Sequence, residues 1–128
     1  MTSRVRNGFT LIELLIVVVI IGILASIAVP KFANTKEKAY VAAMRTDLRN
    51  LATAQESYFY SNSVYTTDPM ALNFLPSPSV SITIPEATAQ GWSAVATHPL
   101  VVGEKCALFM GNAAPVAPAS VEGQITCG

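Results

Sequence analysis

Hydrophobic and polar positions divide the chain into a long apolar segment and a more mixed remainder. Residues 9–30 read FTLIELLIVVVIIGILASIAVP and contain a single charged residue, Glu13. About 20 apolar residues in a helix are enough to span the hydrocarbon core of a bilayer. This segment therefore predicts a helix that is hydrophobic on all sides and long enough to cross a membrane.

A second helical pattern follows in residues 31–60. Its apolar side recurs at alternating spacings of three and four residues, which is typical of a helix with one buried face. Charged residues, Asp47 among them, fall mostly on the other faces. The stripe predicts an amphipathic helix that packs on a folded domain, and it consists of Val41, Met44, Leu48, Leu51, Gln55 and Tyr58.

Two residues are candidates for a break between these helical segments. Pro30 lacks a backbone donor and its ring clashes one turn back, so it should kink or interrupt the helix. Gly22 is a second weak point. Asn34 followed by Glu37 could cap a fresh helix after Pro30.

Short alternating runs in the last third of the chain predict β-strands. They occupy residues 80–84, 92–97, 107–110 and 121–126, and Pro85 should end the first of them. Residues 60–79 read as an irregular connection with one short helical turn near residues 70–75.

The predicted fold is α+β, with a long N-terminal helix on a small antiparallel sheet. Four regions follow from this division: a polar N-terminal segment at 1–8, an apolar helix at 9–30, an amphipathic helix at 31–60 and a β domain at 61–128.

Charge and motif content exclude several classes of protein. The 8 basic residues balance 8 acidic ones, so no basic stripe offers a nucleic-acid site. The chain lacks a GxSxG elbow, a phosphate loop, an HExxH motif and an EF-hand pattern. The single histidine, His98, precedes a proline at a strand end and is expected to be a turn residue. We therefore expect no enzyme activity, no cofactor and no metal site.

Two cysteines, Cys106 and Cys127, lie in the last quarter of the chain. They are too far apart for a CxxC motif and, with one histidine, too few for a zinc site. They are either a disulfide formed in an oxidising compartment or two unrelated buried thiols. Pro115 and Pro118 between them predict an exposed, stiffened loop.

Three interpretations of the N-terminus compete. Arg4 and Arg6 before an apolar run fit a secretory signal, which would be cut after Ala28, and the same run fits a simple membrane anchor. The third is a leader cut on the cytoplasmic side, ahead of the apolar run. Glu13 favours the third, because a carboxylate in a membrane helix is costly and functional by default, and neither a signal nor an anchor needs one.

The residues around Glu13 resemble the cleavage and methylation motif of type IV prepilins. Residues 4–8, RVRNG, are followed by FTLIE at residues 9–13. The resemblance implies that a prepilin peptidase cuts after Gly8 and methylates the new amine on Phe9. It also implies that Glu13 pairs with the Phe9 amine during assembly, an arrangement that the four-residue spacing on one helix face allows.

The resemblance extends to partners, location and the C-terminal region. It implies a subunit held in the bacterial inner membrane, in contact with lipid, that an assembly machinery polymerises with copies of itself into a surface filament. The region between Gly22 and Pro30 would melt in that filament, and Cys106 and Cys127 would be disulfide-bonded. A type II secretion pseudopilin is the nearest alternative, and a membrane-tethered binding module is a third.

Overall fold

The structure, a computed structural model, describes residues 2–128. Its elements are one helix and four strands: α1 (Leu11–Asn62), β1 (Ser81–Ala87), β2 (Gly91–Thr97), β3 (Cys106–Gly111) and β4 (Thr126–Cys127). The predicted α+β class, with a long N-terminal helix and a small antiparallel sheet, is confirmed. Contacts divide the chain into two compact units, one that ends at Lys36 and one that spans Glu37–Gly128.

The first unit is a short extended segment followed by helix. Residues 2–10 have no regular secondary structure, and every residue from 2 to 36 is exposed. The helix passes through Gly22 and Pro30 without interruption, in agreement with one long N-terminal helix, and no fresh helix starts at Asn34 and Glu37. A break at Gly22 and Pro30 in the assembled state stays a prediction. This helix is long and apolar enough to cross a membrane.

The second unit is built on the buried stripe of α1. Met44, Leu48 and Leu51 are each 0% exposed and pack in one cluster with Trp92 and Leu108 of the sheet. The spacing of three and four residues brings these side chains onto one helix face, which the sheet covers. The predicted amphipathic stripe is confirmed for this part of the helix.

The four strands form one antiparallel sheet in the order β1-β2-β3-β4. Pro85 does not end β1, which continues to Ala87 through a register shift between Thr83 and Glu86. A proline is tolerated there because β1 is an edge strand and the shift is a bulge. The strand expected over residues 121–126 is also wrong. Only Thr126 and Cys127 pair with β3, and turns precede them.

The far face of the sheet is covered by the segment between β3 and β4. Ala113 and Ala119 are buried against Ala107 and Phe109 of β3. The proline-containing loop is therefore packed on the sheet at these two alanines and is less exposed than the sequence suggested. This second cluster fixes the segment that the two cysteines enclose.

Two polar side chains of α1 hold the connection to β1. The Asp47 carboxylate, only 3% exposed, accepts hydrogen bonds from the Ser77 backbone N–H and hydroxyl, both at 2.9 Å. The Gln55 amide donates to the Thr66 carbonyl at 2.7 Å and accepts from the Thr66 N–H at 3.1 Å. Asp47 is thus buried and not on the solvent face, because the connection supplies donors for its charge.

Aromatic side chains close the ends of this helix face. Tyr40 stacks on His98 with ring centroids 4.2 Å apart, and His98 Nδ1 accepts from the Leu100 N–H at 3.1 Å. The Tyr65 hydroxyl donates to Glu56 Oε1 at 3.0 Å. Burial raises the pKa of Tyr65, and the hydrogen bond to Glu56 and its negative charge raise it further. His98 is a turn residue, as its position before a proline predicted.

Candidate processing and assembly site

The residues of the prepilin-like motif lie together at the start of α1. Residues 4–8 are exposed and have no regular secondary structure, and Phe9 is 82% exposed. A Cβ added to Gly8 would meet no heavy atom within 4 Å. Packing in this chain therefore gives no reason for a glycine at position 8, whereas a narrow protease groove does. An exposed segment without regular secondary structure is also one that a peptidase can reach.

Thr10 and Glu13 form a reciprocal cap on the helix. Thr10 immediately precedes α1, and Glu13 is the third residue of the helix. The Thr10 backbone N–H donates to Glu13 Oε2 at 2.8 Å, and the Thr10 hydroxyl donates to the same oxygen at 3.0 Å. The Glu13 N–H in turn donates to the Thr10 hydroxyl at 3.2 Å. This is the capping-box arrangement, which satisfies backbone donors that have no partner in the first helical turn.

The hydrogen bonds of the cap orient the Glu13 carboxylate within this chain. It holds the carboxylate at the N-terminal end of the helix, where the helix dipole favours a negative charge. Both hydrogen bonds from Thr10 end on Oε2. Cleavage after Gly8 would leave Thr10 in place and create an amine on Phe9, four residues before Glu13 in sequence. Among the described residues, no group donates a hydrogen bond to Glu13 Oε1. This oxygen can therefore accept a hydrogen bond from an amine.

Sequence reasoning singled out Glu13 but missed its hydrogen bonds to Thr10. The signal was present, because a threonine three residues before a glutamate at the edge of an apolar run is the usual sequence of a capping box. The similar pattern at Asn34 and Glu37, after Pro30, caps no helix, because α1 continues through both residues. Thr10 is therefore a site residue that the structure adds.

Gly22 resembles Gly8 in having no local packing requirement. A Cβ on Gly22 would also meet nothing within 4 Å. In contrast, a Cβ on Gly111, at φ +64°, would overlap the Gln90 carbonyl oxygen. Gly111 is needed by the turn after β3, because both the positive φ and the close approach exclude a side chain. Gly22 and Pro30 lie within the continuous helix, so any role for them concerns another state of the chain.

The second unit contains the disulfide. Cys106 and Cys127 are bonded, with an Sγ–Sγ distance of 1.99 Å, and they face each other as paired residues of β3 and β4. The prediction of a disulfide over two free thiols is confirmed. Backbone hydrogen bonds between Lys105 and Gly128, at 3.0 and 3.1 Å, hold the chain terminus beside it. The bond ties the C-terminus to an inner strand of the sheet.

A family model described as the prokaryotic N-terminal methylation motif matches residues 3–29. The match begins just before Arg4 and ends just before Pro30. It therefore covers Arg4 and Arg6, the Gly8–Phe9 junction, the capped Glu13 and the apolar part of the helix. The prepilin-like motif at residues 4–13 lies entirely within the matched range.

Three curated relatives extend the comparison beyond the motif. The type IV wide pilus major component PilA4 of Thermus thermophilus is 35% identical over 99 residues, which cover 74% of this chain and 76% of the relative. The type IV major pilin PilA of Myxococcus xanthus is 45% identical over 71 residues, 56% of this chain and 32% of the relative. The type II secretion system core protein G of Vibrio cholerae is 46% identical over 72 residues, 56% of this chain and 49% of the relative.

The last two alignments span about a third and about half of the relatives' own lengths. The alignment to the Thermus protein covers more than two thirds of both chains. Together with the methylation motif and the helix-on-sheet fold, it shows that this chain belongs to the family that comprises the type IV pilins and the core G proteins of type II secretion systems.

Proposed function

We propose that this protein is the structural subunit of a type IV pilus. It is made as a membrane-anchored precursor, a prepilin peptidase cleaves it between Gly8 and Phe9, and the Phe9 amine is methylated. The observation that carries the proposal is the capped Glu13 at the start of an apolar helix, directly after the Gly8–Phe9 junction. The matched pilin of Thermus thermophilus, described as a pilus major component, supports the same assignment.

The exposed apolar helix requires two successive environments. Its large side chains between residues 11 and 29 are 51–82% exposed, and an apolar surface of this extent is not stable in water. Bilayer lipid covers it in the precursor, and the corresponding helices of other subunits cover it in the filament. An assembly machinery in the inner membrane must transfer the helix from the first environment to the second.

Glu13 directs this transfer by attracting the Phe9 amine of a neighbouring subunit. Each of the two charges is unfavourable in an apolar surrounding, and each compensates the other when they meet. A subunit placed out of register leaves both charges unmatched, so the pair also sets the axial position. The cap from Thr10 supports this role, because it holds the carboxylate at the end of the helix where the amine of a neighbour would approach.

The cleavage step is tested by the intact mass of protein isolated from cells. We expect a chain that begins at Phe9 and carries one methyl group. Gly8→Val should leave the precursor uncut in the membrane, while the fold stays intact because an added side chain at Gly8 meets no atom of this chain. A mature terminus at Val29 would contradict the proposal and indicate an ordinary signal peptide.

The assembly step is tested by counting surface fibres in three variants by electron microscopy. Glu13→Val removes the charge and the cap, and few fibres should form from protein that is cleaved and inserted normally. Glu13→Gln keeps an amide that can still cap the helix but has no charge, so fibre numbers should be intermediate at best. Thr10→Ser keeps both the hydroxyl and the charge and is the matched control. Normal fibre numbers from fully processed Glu13→Gln would show that Glu13 acts only as a cap.

A core pseudopilin of a type II secretion system is the second candidate. The 46% identity to the core protein G of Vibrio cholerae favours it, although that alignment covers 49% of the relative. Mass spectrometry of purified surface fibres separates the two functions, because a pilin should be their main protein. Absence of this chain from such fibres, together with a secretion defect when its gene is deleted, would favour the pseudopilin. A membrane-tethered binding module is disfavoured, because a simple tether does not require the methylation motif that residues 3–29 match.

A further inference from the structure

The apolar run of α1 ends in a short basic segment with one exposed aromatic ring. Residues 31–38 contain three lysines and one acidic residue, Glu37. Phe32 lies among them and is 67% exposed. The Lys36 ammonium lies 6.0 Å from the centroid of the Phe32 ring, within the range of a cation–π contact. This end of the run is therefore both basic and apolar.

Two shallow troughs lie on either side of the Phe32 ring. The larger has a volume of about 460 Å³ and is lined by Ala28, Val29, Phe32, Ala33 and Lys36. The smaller has a volume of about 300 Å³ and is lined by Ala28, Lys31, Phe32 and Thr35. Both have Ala28 in an apolar floor, and each has one lysine in its wall. Ala28 and Phe32 line both troughs, so the two lie next to each other along the Phe32 side chain.

The troughs lie where the helix leaves the hydrocarbon core. The helical residues from 11 to 30 span about 30 Å at 1.5 Å per residue, the hydrocarbon thickness of a bilayer. Lys31 and Lys36 then fall at the level of the lipid headgroups. Lysine stems at this depth lie along apolar surface while the ammonium groups reach the headgroups.

We propose that each trough binds one anionic phospholipid in the membrane-inserted subunit. The glycerol and upper acyl chain lie on the floor around Ala28, and the phosphate pairs with Lys36 in the larger trough and with Lys31 in the smaller. The inference rests on the membrane-inserted state of the proposed function. Bound lipid stabilises the subunit pool and has to leave when subunits pack together, so anionic lipid opposes filament growth.

Charge favours lipid over a second copy of the chain as the occupant. Two copies side by side at the same depth would bring their basic segments together, with three lysines and one acidic residue on each. Like charges at close range repel. An anionic headgroup complements the same lysines, and it is present at that depth in any membrane that contains anionic lipid.

The test is native mass spectrometry of the full chain, released from a neutral detergent and titrated with phosphatidylglycerol or phosphatidylcholine. We expect up to two phosphatidylglycerol adducts per chain and weaker binding of phosphatidylcholine. The double variant Lys31→Gln, Lys36→Gln should lower the phosphatidylglycerol affinity by about fivefold for each lysine and leave phosphatidylcholine binding unchanged. Lys105→Gln, at an exposed lysine of the second unit, is the control with the same type of charge change.

Phe32→Ala separates a built site from simple charge attraction. It keeps every lysine but merges the troughs, so it should also weaken phosphatidylglycerol binding. Unchanged binding in this variant, or equal binding of the two lipids, would overturn the proposal. Dimers that persist at every phosphatidylglycerol concentration would assign the troughs to a second copy instead. Leader cleavage and fibre number are measured separately, so a failure here is distinguishable from a failure of the pilin assignment.

Discussion

Removal of the disulfide should lower the stability of the second unit by an amount that the length of the closed loop determines. Cys106 and Cys127 are 21 residues apart, for which the chain-entropy model gives a stabilisation of about 3 kcal/mol. The unit Glu37–Gly128 has about 90 residues, and a domain of that size loses about 4–8 °C in Tm for each kcal/mol. The expected fall in Tm is therefore about 12–24 °C.

Cys127→Ser is the suitable variant because the two cysteines differ in burial. Cys106 is 0% exposed and remains a buried thiol of nearly unchanged shape, whereas Cys127 is half-buried, so a serine hydroxyl there can reach water. The enclosed segment should stay docked without the bond. The Ala114 N–H donates to Glu86 Oε2 and the Gly111 N–H donates to Glu122 Oε1, both at 2.9 Å. The loss should thus be limited to the loop entropy.

The assay is thermal unfolding of the full chain in detergent, followed by the fluorescence of the single tryptophan. Trp92 is fully buried in the second unit and reports its unfolding. A reductant should lower the Tm of the wild-type chain to that of Cys127→Ser and should not change the Tm of the variant. A fall of less than about 5 °C in Cys127→Ser would refute the entropic argument at this loop length. Free thiols in filament protein alkylated without reduction would contradict the bond itself.

Three further predictions concern the second unit. Gln55→Leu should destabilise it by about 2 kcal/mol in chemical denaturation, because it leaves the Thr66 N–H and carbonyl unpaired in a partly buried site. Tyr65→Phe should make its stability less sensitive to alkali. The pKa of Tyr65 is raised in the folded state, so its contribution is fully present below its unfolded pKa of about 10 and is lost as the pH rises through the folded value. A truncated chain that begins at Lys36 should be soluble, monomeric and cooperatively folded, because the contacts of the second unit begin at Glu37.

Each of these predictions has a defined contrary outcome. Asn50→Leu, at an exposed position of the same helix, is the control for Gln55→Leu, and equal stability of the two variants would dismiss the Thr66 contact. Identical pH profiles above pH 10 for Tyr65→Phe and the wild type would dismiss the contribution of Tyr65. Aggregation of the truncated chain without a cooperative melt would contradict the division at Lys36.

Local patterns in the sequence were sufficient for the N-terminal site and for much of the helix. The motif around Gly8, Phe9 and Glu13 is contiguous, and the stripe from Met44 to Gln55 follows the period of the helix. In both, successive members are at most four residues apart in sequence, so the patterns can be read without knowledge of the fold. The capping box of Thr10 and Glu13 is also a local pattern, although the sequence analysis predicted a helix cap only at Asn34 and Glu37.

Residues whose partners are distant in sequence could be assigned only from the tertiary structure. Asp47 has the charge of a surface residue, but Ser77, 30 residues later, supplies the two donors that let it be buried. The run at residues 121–126 has the composition of a strand, but of these residues only Thr126 pairs with β3 as a strand. Pro85 does not end β1, although it has no backbone N–H to donate. It lies at a bulge in an edge strand, where the sheet requires no donor from it.

The sequence by itself thus determined the anchor, the processing motif, the fold class and the buried helix face, because each is encoded in a period or a contiguous pattern. The tertiary structure alone decided the burial of Asp47, the hydrogen bonds between Gln55 and Thr66, the length of β4 and the docking of the loop at Ala113 and Ala119. These features depend on which distant groups meet across the core. A hydrogen bond or a packing contact between two such groups leaves no periodic signal in the sequence of either one.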